Sequence, residues 1–204
     1  MKYHRAVAPL FLCLIMWNTA PAAEALSPLE TLKGPIDRII EILNTPSGSA
    51  PGNGATQRTR IWEEVSPLFD FGELSRRAVG KQWRSFTREE QARFQEVFSK
   101  FLANTYIDKI QGGYNNEKII FISELVRDQV ALARTKLVRE SFEMPIDYRM
   151  KQVNGQWKIY DVLVENGVSL VKNYRVQFTS ALQKESPAQL IRRLEKKLDG
   201  QAGN

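Results

Sequence analysis

One cysteine and one histidine occur among 204 residues, and both, Cys13 and His4, fall in the first thirteen positions. The unbroken apolar run Leu10 to Trp17 is eight residues long. Spanning a bilayer takes about 20. What surrounds that run reads as a secretory signal peptide. Lys2 and Arg5 form a basic start, and Thr19, Ala20, Pro21, Ala22 and Ala23 supply small residues after it. Two cuts satisfy the small-x-small rule, one after Ala22 and one after Ala25, and the first is preferred. A lipid-modified Cys13 is disfavoured, because Leu12 stands where a small residue is needed.

Residues 1–22 are therefore expected to be removed. The mature chain then has no thiol and no imidazole. That excludes disulfide support, zinc sites built from Cys or His, Ser-His-Asp and Cys-His nucleophile systems and histidine acid–base chemistry. Of 29 basic side chains, Lys2 and Arg5 leave with the leader; the remaining 27 against 23 acidic ones give a net charge of +4. A balance this mild is ordinary for a soluble protein and compatible with anionic membrane surfaces. With 43% hydrophobic and 25% charged residues, the chain is neither disordered throughout nor a polytopic membrane protein.

Helical spacing comes first along the mature chain. Leu29, Leu32, Ile36, Ile39, Ile40 and Leu43 recur at intervals of three and four, with Pro35 expected to start or kink that helix. Residues 45–56 (TPSGSAPGNGAT) read as a flexible loop inside one domain, 23–204. A short helix over 58–65 ends at Ser66-Pro67, and another covers 73–79 up to Gly80. Thr87-x-x-Glu90 is a capping box. It opens the strongest helix, 88–111, which Gly112-Gly113 is expected to close. The period then changes to two. Residues 118–126, 130–138, 144–153 and 157–164 alternate, and Asn154-Gly155 marks a hairpin. Helical patterns return over 168–182 and from Ser186-Pro187 onward, before a frayed tail at 200–204. Helices, then strands, then helices indicate an α+β fold. The expected form is a curved four-stranded antiparallel meander packed against several helices, with an apolar cavity between them.

No phosphate loop or clustered acidic metal site stands out. The basic group Arg192, Arg193, Lys196 and Lys197 reads as a solvated helix face, so no nucleic acid is expected as a partner. The conspicuous feature is apolar mass on facing elements. The long helix offers Phe98, Leu102 and Tyr106. Ile146, Tyr148 and Met150 share one strand face, as do Tyr160, Val162 and Val164. Val168, Val171, Tyr174 and Phe178 follow on the late helix. A solid core and a cavity wall use the same residues, and periodicity does not separate them.

Two blocks carry a family resemblance. The first is Phe69-Asp70-Phe71-Gly72-Glu73-Leu74-Ser75-Arg76-Arg77-Ala78-Val79-Gly80-Lys81-Gln82-Trp83. The second is Trp157-Lys158-Ile159-Tyr160-Asp161-Val162-Leu163-Val164-Glu165-Asn166-Gly167-Val168-Ser169-Leu170-Val171, continued by Asn173-Tyr174-Arg175 and Phe178. In order and spacing they resemble the MlaC (toluene-tolerance) family of periplasmic phospholipid-binding proteins, including its hopanoid-associated relatives, over about 58–198. The loop at 45–56 looks like a local insertion, and Asn166 is an extra polar residue beside Gly167.

The resemblance implies a soluble periplasmic shuttle without cofactor or catalysis. Phospholipid acyl chains would lie in a hydrophobic pocket. The partners would be an outer-membrane lipoprotein–porin complex and an inner-membrane ABC transporter with an MCE-domain subunit, and the role would be maintenance of outer-membrane lipid asymmetry. Phe71, Leu74 and Trp83 of the first block would sit near one end of the cavity. Three other readings stay open at this stage: a hopanoid or other small-apolar-ligand binder, an enzyme on a cone-shaped fold using Asp161, Tyr160 and Tyr148, and a protein-binding adaptor with a solid core.

Export predicts a mature protein beginning at Ala23. Intact mass of the protein from the periplasmic fraction checks this; a chain still starting at Met1 would return Cys13 and His4 to the chemistry.

Overall fold

The computed structural model describes residues 26–45, 53–140, 142–165 and 167–202. The expected signal peptide, residues 46–52 of the expected loop and Asn166 lie outside the described residues. Helix α1 (Pro28–Asn44) begins at a capping box that the sequence reading missed: the Ser27 hydroxyl accepts from the Glu30 N–H, and the Glu30 carboxylate accepts from the Ser27 N–H at 2.8 Å. A further first-turn donor, the Leu29 N–H, is taken by Glu124 at 2.8 Å. With its start secured in this way, the helix does not begin at Pro35 but runs through it, at the cost of one backbone hydrogen bond.

Helix α2 (Asn53–Val65) starts earlier than the expected Arg58, so residues 53–56 are helix and not loop. Its contacts with α1 override local composition: Gln57 donates to the Ile42 carbonyl at 2.9 Å, and Ile61 is fully buried beside Ile42. A 3-10 helix (Ser66–Leu68) leads into α3 (Phe71–Val79), capped at its start by the Asp70 carboxylate. Gly80 ends α3 at φ +71°, a conformation that favours glycine, and the chain continues as a 3-10 helix, Gly80–Ser85.

Helix α4 (Arg88–Gly113) opens at the Thr87–Glu90 box, as the sequence indicates. The glycine pair lies inside its last turn rather than beyond it. Tyr114 is the cap, and its hydroxyl donates to Asn44 at 3.1 Å, which ties this end to α1.

Strands β1 (Lys118–Arg127), β2 (Val130–Arg139), β3 (Phe142–Val153) and β4 (Gln156–Val164) form the antiparallel meander in sequence order. Asn154 and Gly155 both have positive φ, as a two-residue hairpin turn requires. Among the described residues the sheet has five strands, not four. Val168 and Ser169 form a short β5 paired to β4, so helix α5 (Leu170–Ala181) starts two residues later than its periodicity suggests. Helix α6 (Pro187–Ala202) carries the chain through most of the expected frayed tail. The α+β architecture is that of the expected fold.

Two acidic joints tie sheet to helices. Asp161, 3% exposed on β4, accepts from the Val171 N–H at 3.0 Å, the Ser169 hydroxyl at 2.7 Å and Arg149 at 3.1 Å. Ser169 in turn caps α5 by accepting from the Lys172 N–H. Near α3, Lys151 of β3 reaches Asp70 at 2.9 Å and Glu73 at 3.8 Å. The Asp70 N–H donates to the Ile159 carbonyl at 2.8 Å and extends β4 by one parallel bridge at Phe69. Burial would raise the Glu73 carboxyl, but hydrogen bonds and charge from Arg76 and Arg77 outweigh it and bring it down to about 2.

Glu73→Gln is therefore expected to cost about 1–2 kcal/mol at neutral pH, the partly exposed arginines being screened. Because folding lowers the pKa, the wild-type advantage is present above the ordinary value of 4.5 and lost as pH falls toward about 2. Urea unfolding of both proteins across that window measures it, and a pH-independent difference contradicts it. Asp161→Ala should cost more, about 2–4 kcal/mol, because it strips Arg149, Ser169 and the α5 N-terminus together.

Candidate functional site

A domain of this size ordinarily has one contiguous buried core. Here, among the described residues, the buried apolar side chains fall into three clusters. The largest is helical, built from α3, α4, α5 and α6 around Phe94, Phe98 and Phe178. The second joins Leu32 of α1 and Leu68 to Ala131, Ala133, Met150, Trp157 and Ile159 on one face of the sheet. The third joins α1, α2 and α4 through Ile42, Ile61 and Ile107. Phe69 packs against both the first and the second. It stacks on Phe71 at 5.4 Å, and Phe71 meets Trp62 at 5.6 Å. These three rings stand where the clusters meet.

Strand register defines the apolar face. Ala131, Ala133, Thr135 and Leu137 on β2 lie opposite Met150, Tyr148, Ile146 and Met144 on β3; Tyr148 and Ile146 lie opposite Val162 and Val164 on β4. Burial falls steadily along this face. Met150 and Ile159 are at most 1% exposed beneath α1, Tyr148, Ile146 and Val162 are half-buried, and Val164, Phe142 and Val168 are 36%, 47% and 54% exposed. One end of the sheet is thus roofed and the other opens toward solvent with its apolar side chains in place. At the open end Arg139 lies opposite Phe142 and is held by Glu117 at 3.1 Å.

The floor of this slope is polar but satisfied. Thr135, fully buried, donates to the Ile146 carbonyl at 2.8 Å. Burial pushes the Tyr148 phenol up to about 12 against a hydrogen bond with Thr135, so it stays protonated. Tyr106 and Tyr174 pair through their hydroxyls, and burial raises both. Among the described residues no group of three His, Cys, Asp or Glu side chains is placed to hold a metal.

The side chains expected in a cavity wall separate into two sets. Leu74, Phe98, Leu102, Val171, Tyr174 and Phe178 are buried together in the helical cluster, with Trp83 and Tyr106 packed against it. Ile146, Tyr148, Val162, Val164 and Val168 share the sloping sheet face, and Phe71 belongs to the aromatic group at the junction. Tyr160 is not on that face with Val162 and Val164. A register shift beside Asp161 turns it the other way, where Arg77 lies 4.3 Å from its ring centre, and Ile159 and Trp157 take over the inner positions. Phe69, Trp62, Leu137 and Met144 were not singled out from the sequence; the alternation of β2 and β3 was the signal for the last two. The pocket between α4, α5 and α6, beside Phe101 and Tyr174, has a volume of about 50 Å³, and one between α1 and α2, lined by Arg38, Glu41 and Arg60, about 150 Å³. Pockets for small ligands run to roughly 300–1,000 Å³.

No curated protein matches the chain. A solved structure described as the phospholipid-binding protein from Ralstonia solanacearum in complex with a phospholipid matches with a TM-score of 0.72 at 22% identity, covering 84% of this chain and 97% of that one. At that identity the likeness establishes the fold. The family model described as MlaC protein matches residues 33–196. That span takes in both sequence blocks, the whole sheet and every buried residue of the three clusters except Leu32, and the chain belongs to the MlaC family.

Proposed function

We propose that the protein is a phospholipid carrier that holds acyl chains against the open end of the sheet's apolar face. The observation that carries the reading is the burial gradient from Met150 to Phe142 and from Ile159 to Val164, which leaves apolar side chains increasingly exposed toward one end of the sheet face. Family membership and the phospholipid in the Ralstonia solanacearum structure support the choice of ligand. The energetics suit a carrier. At about 0.8 kcal/mol per buried methylene, a chain of about sixteen carbons is held against water by roughly 12 kcal/mol. Such cargo leaves only for another apolar site, and no bond need be broken.

Asp161, the residue an enzymatic reading would use, spends its carboxylate on Ser169, Arg149 and the α5 N-terminus. Tyr148 keeps its proton throughout the physiological range. Admitting a chain requires the Trp62–Phe71–Phe69 group and the half-buried strand side chains to part. The proposal extends to export into the periplasm and to exchange of the lipid with an outer-membrane lipoprotein–porin complex and an inner-membrane ABC transporter bearing an MCE-domain subunit.

Two substitutions separate wall from core. Val164→Asp places a charge at the exposed end of the slope and is expected to leave the circular dichroism spectrum and melting temperature nearly unchanged while removing most lipid from an organic extract of the purified protein. Leu102→Asp buries a charge in the helical cluster and is expected to unfold the protein, by more than about 3 kcal/mol. Full lipid loading in folded Val164→Asp would contradict the proposed wall.

A further inference from the structure

The second face of the sheet is bare over β1 to β3, because α1 packs on the opposite side. By register it carries Lys118, Arg127, Arg134, Lys136, Arg149 and Lys151. Their acidic partners are mostly sunk beneath them. Arg149 is 46% exposed over an Asp161 at 4%, and Arg134 is 52% exposed beside an Asp147 at 28%. Glu143, paired to Lys136 at 2.7 Å, is the exposed exception. Lys151 joins this face to α3, where Arg76 and Arg77 again lie outside a shielded Glu73. The surface is therefore positive even though most of its ion pairs are complete.

Aliphatic side chains stand among these charges. Ile120, Leu125 and Val130 belong to this face by register, and Ile122 is the extra residue of a β1 bulge; all four are about half exposed. Ile120, Ile122 and Leu125 stand on the edge strand β1 and Val130 at the start of β2, interleaved with the cations. A protein partner concentrates affinity in aromatic or arginine anchors seated in pockets. A flat basic face with separate aliphatic side chains fits an anionic lipid surface, where each cation adds attraction and short apolar side chains enter the interface.

We propose that this face docks the protein on anionic membranes. The proposal does not depend on the acyl-chain site proposed above. The test is cosedimentation of the purified protein with vesicles of phosphatidylcholine alone or with about one-third phosphatidylglycerol, at low and physiological salt. Binding is expected only with phosphatidylglycerol and weaker in salt. The triple variant Arg127→Gln, Arg134→Gln, Lys136→Gln should weaken partitioning roughly 10- to 100-fold. Leu125→Ser should weaken it without any change of charge, and Val164→Asp, on the opposite face of the sheet, should leave it intact. Melting curves confirm that each variant is folded; a triple variant that does not fold is replaced by the single Arg134→Gln, expected to weaken binding several-fold. Equal binding to neutral vesicles, no binding to either, unchanged binding by the folded charge variants, or capture of an acidic protein by this face while vesicles are ignored would each overturn the proposal.

Discussion

The Asp161 carboxylate is the joint on which the arrangement turns. It sits on β4 beside a register shift, almost fully buried, and spends its oxygens on β3 through Arg149, on β5 through Ser169 and on the first turn of α5. Because this tie lies at one border of the sheet, the helices beyond it build their own core instead of lying on the strands. The second tie, Asp70 and Glu73 to Lys151, holds α3 at the same border. Each is strong for the same reason: a carboxylate shielded from water, with several charged or backbone donors, is costly to leave unpaired.

With the helical layer anchored at one side, the cluster on the sheet's apolar face draws its helical side chains, among the described residues, from α1 and the 3-10 helix at Leu68, at one end of that face. The result is an interior divided into three, with aromatic rings at the junction and a slope of decreasing burial toward the open end. For a protein whose task is stability alone, a half-covered apolar face is a liability. For a carrier of amphiphiles it is the means of exchange. The roofed end keeps the fold, and the open end offers a surface that hydrocarbon covers better than water.

Much of the fold was legible in the sequence because its signals are local. The Thr87–Glu90 box, the Asn154-Gly155 turn and the alternation of the four long strands each specify structure within a few residues. What escaped depends on distant partners. Residues 53–56 are helical because α2 packs on α1, and α1 passes through Pro35 because Ser27, Glu30 and Glu124 hold its start. Val168 is a strand residue because Val164 lies opposite. The apolar residues were legible as a set but not as an arrangement. Phe98, Leu102 and Phe178 are as apolar as Ile146 and Val164, and only the course of α4 and α5 decides which set is buried among other side chains and which is left more exposed. The Tyr160 reversal shows the same limit, since one extra residue in a strand exchanges its faces. Both family-like blocks turn out to hold carboxylate joints, Asp70 and Glu73 in the first and Asp161 in the second.

The central claim is that lipid meets the sheet and not the interior of the helical cluster. The most direct measurement is photocrosslinking of the folded protein loaded with a phospholipid carrying a diazirine on its acyl chain, with the adducts mapped by peptide mass spectrometry. The account predicts adducts at Phe71, Ile146, Tyr148, Val162 and Val164, lost on competition with unlabelled phospholipid. Adducts confined to Phe98, Leu102, Tyr174 and Phe178, with the strand residues unlabelled, would place the acyl chains among the helices and contradict it.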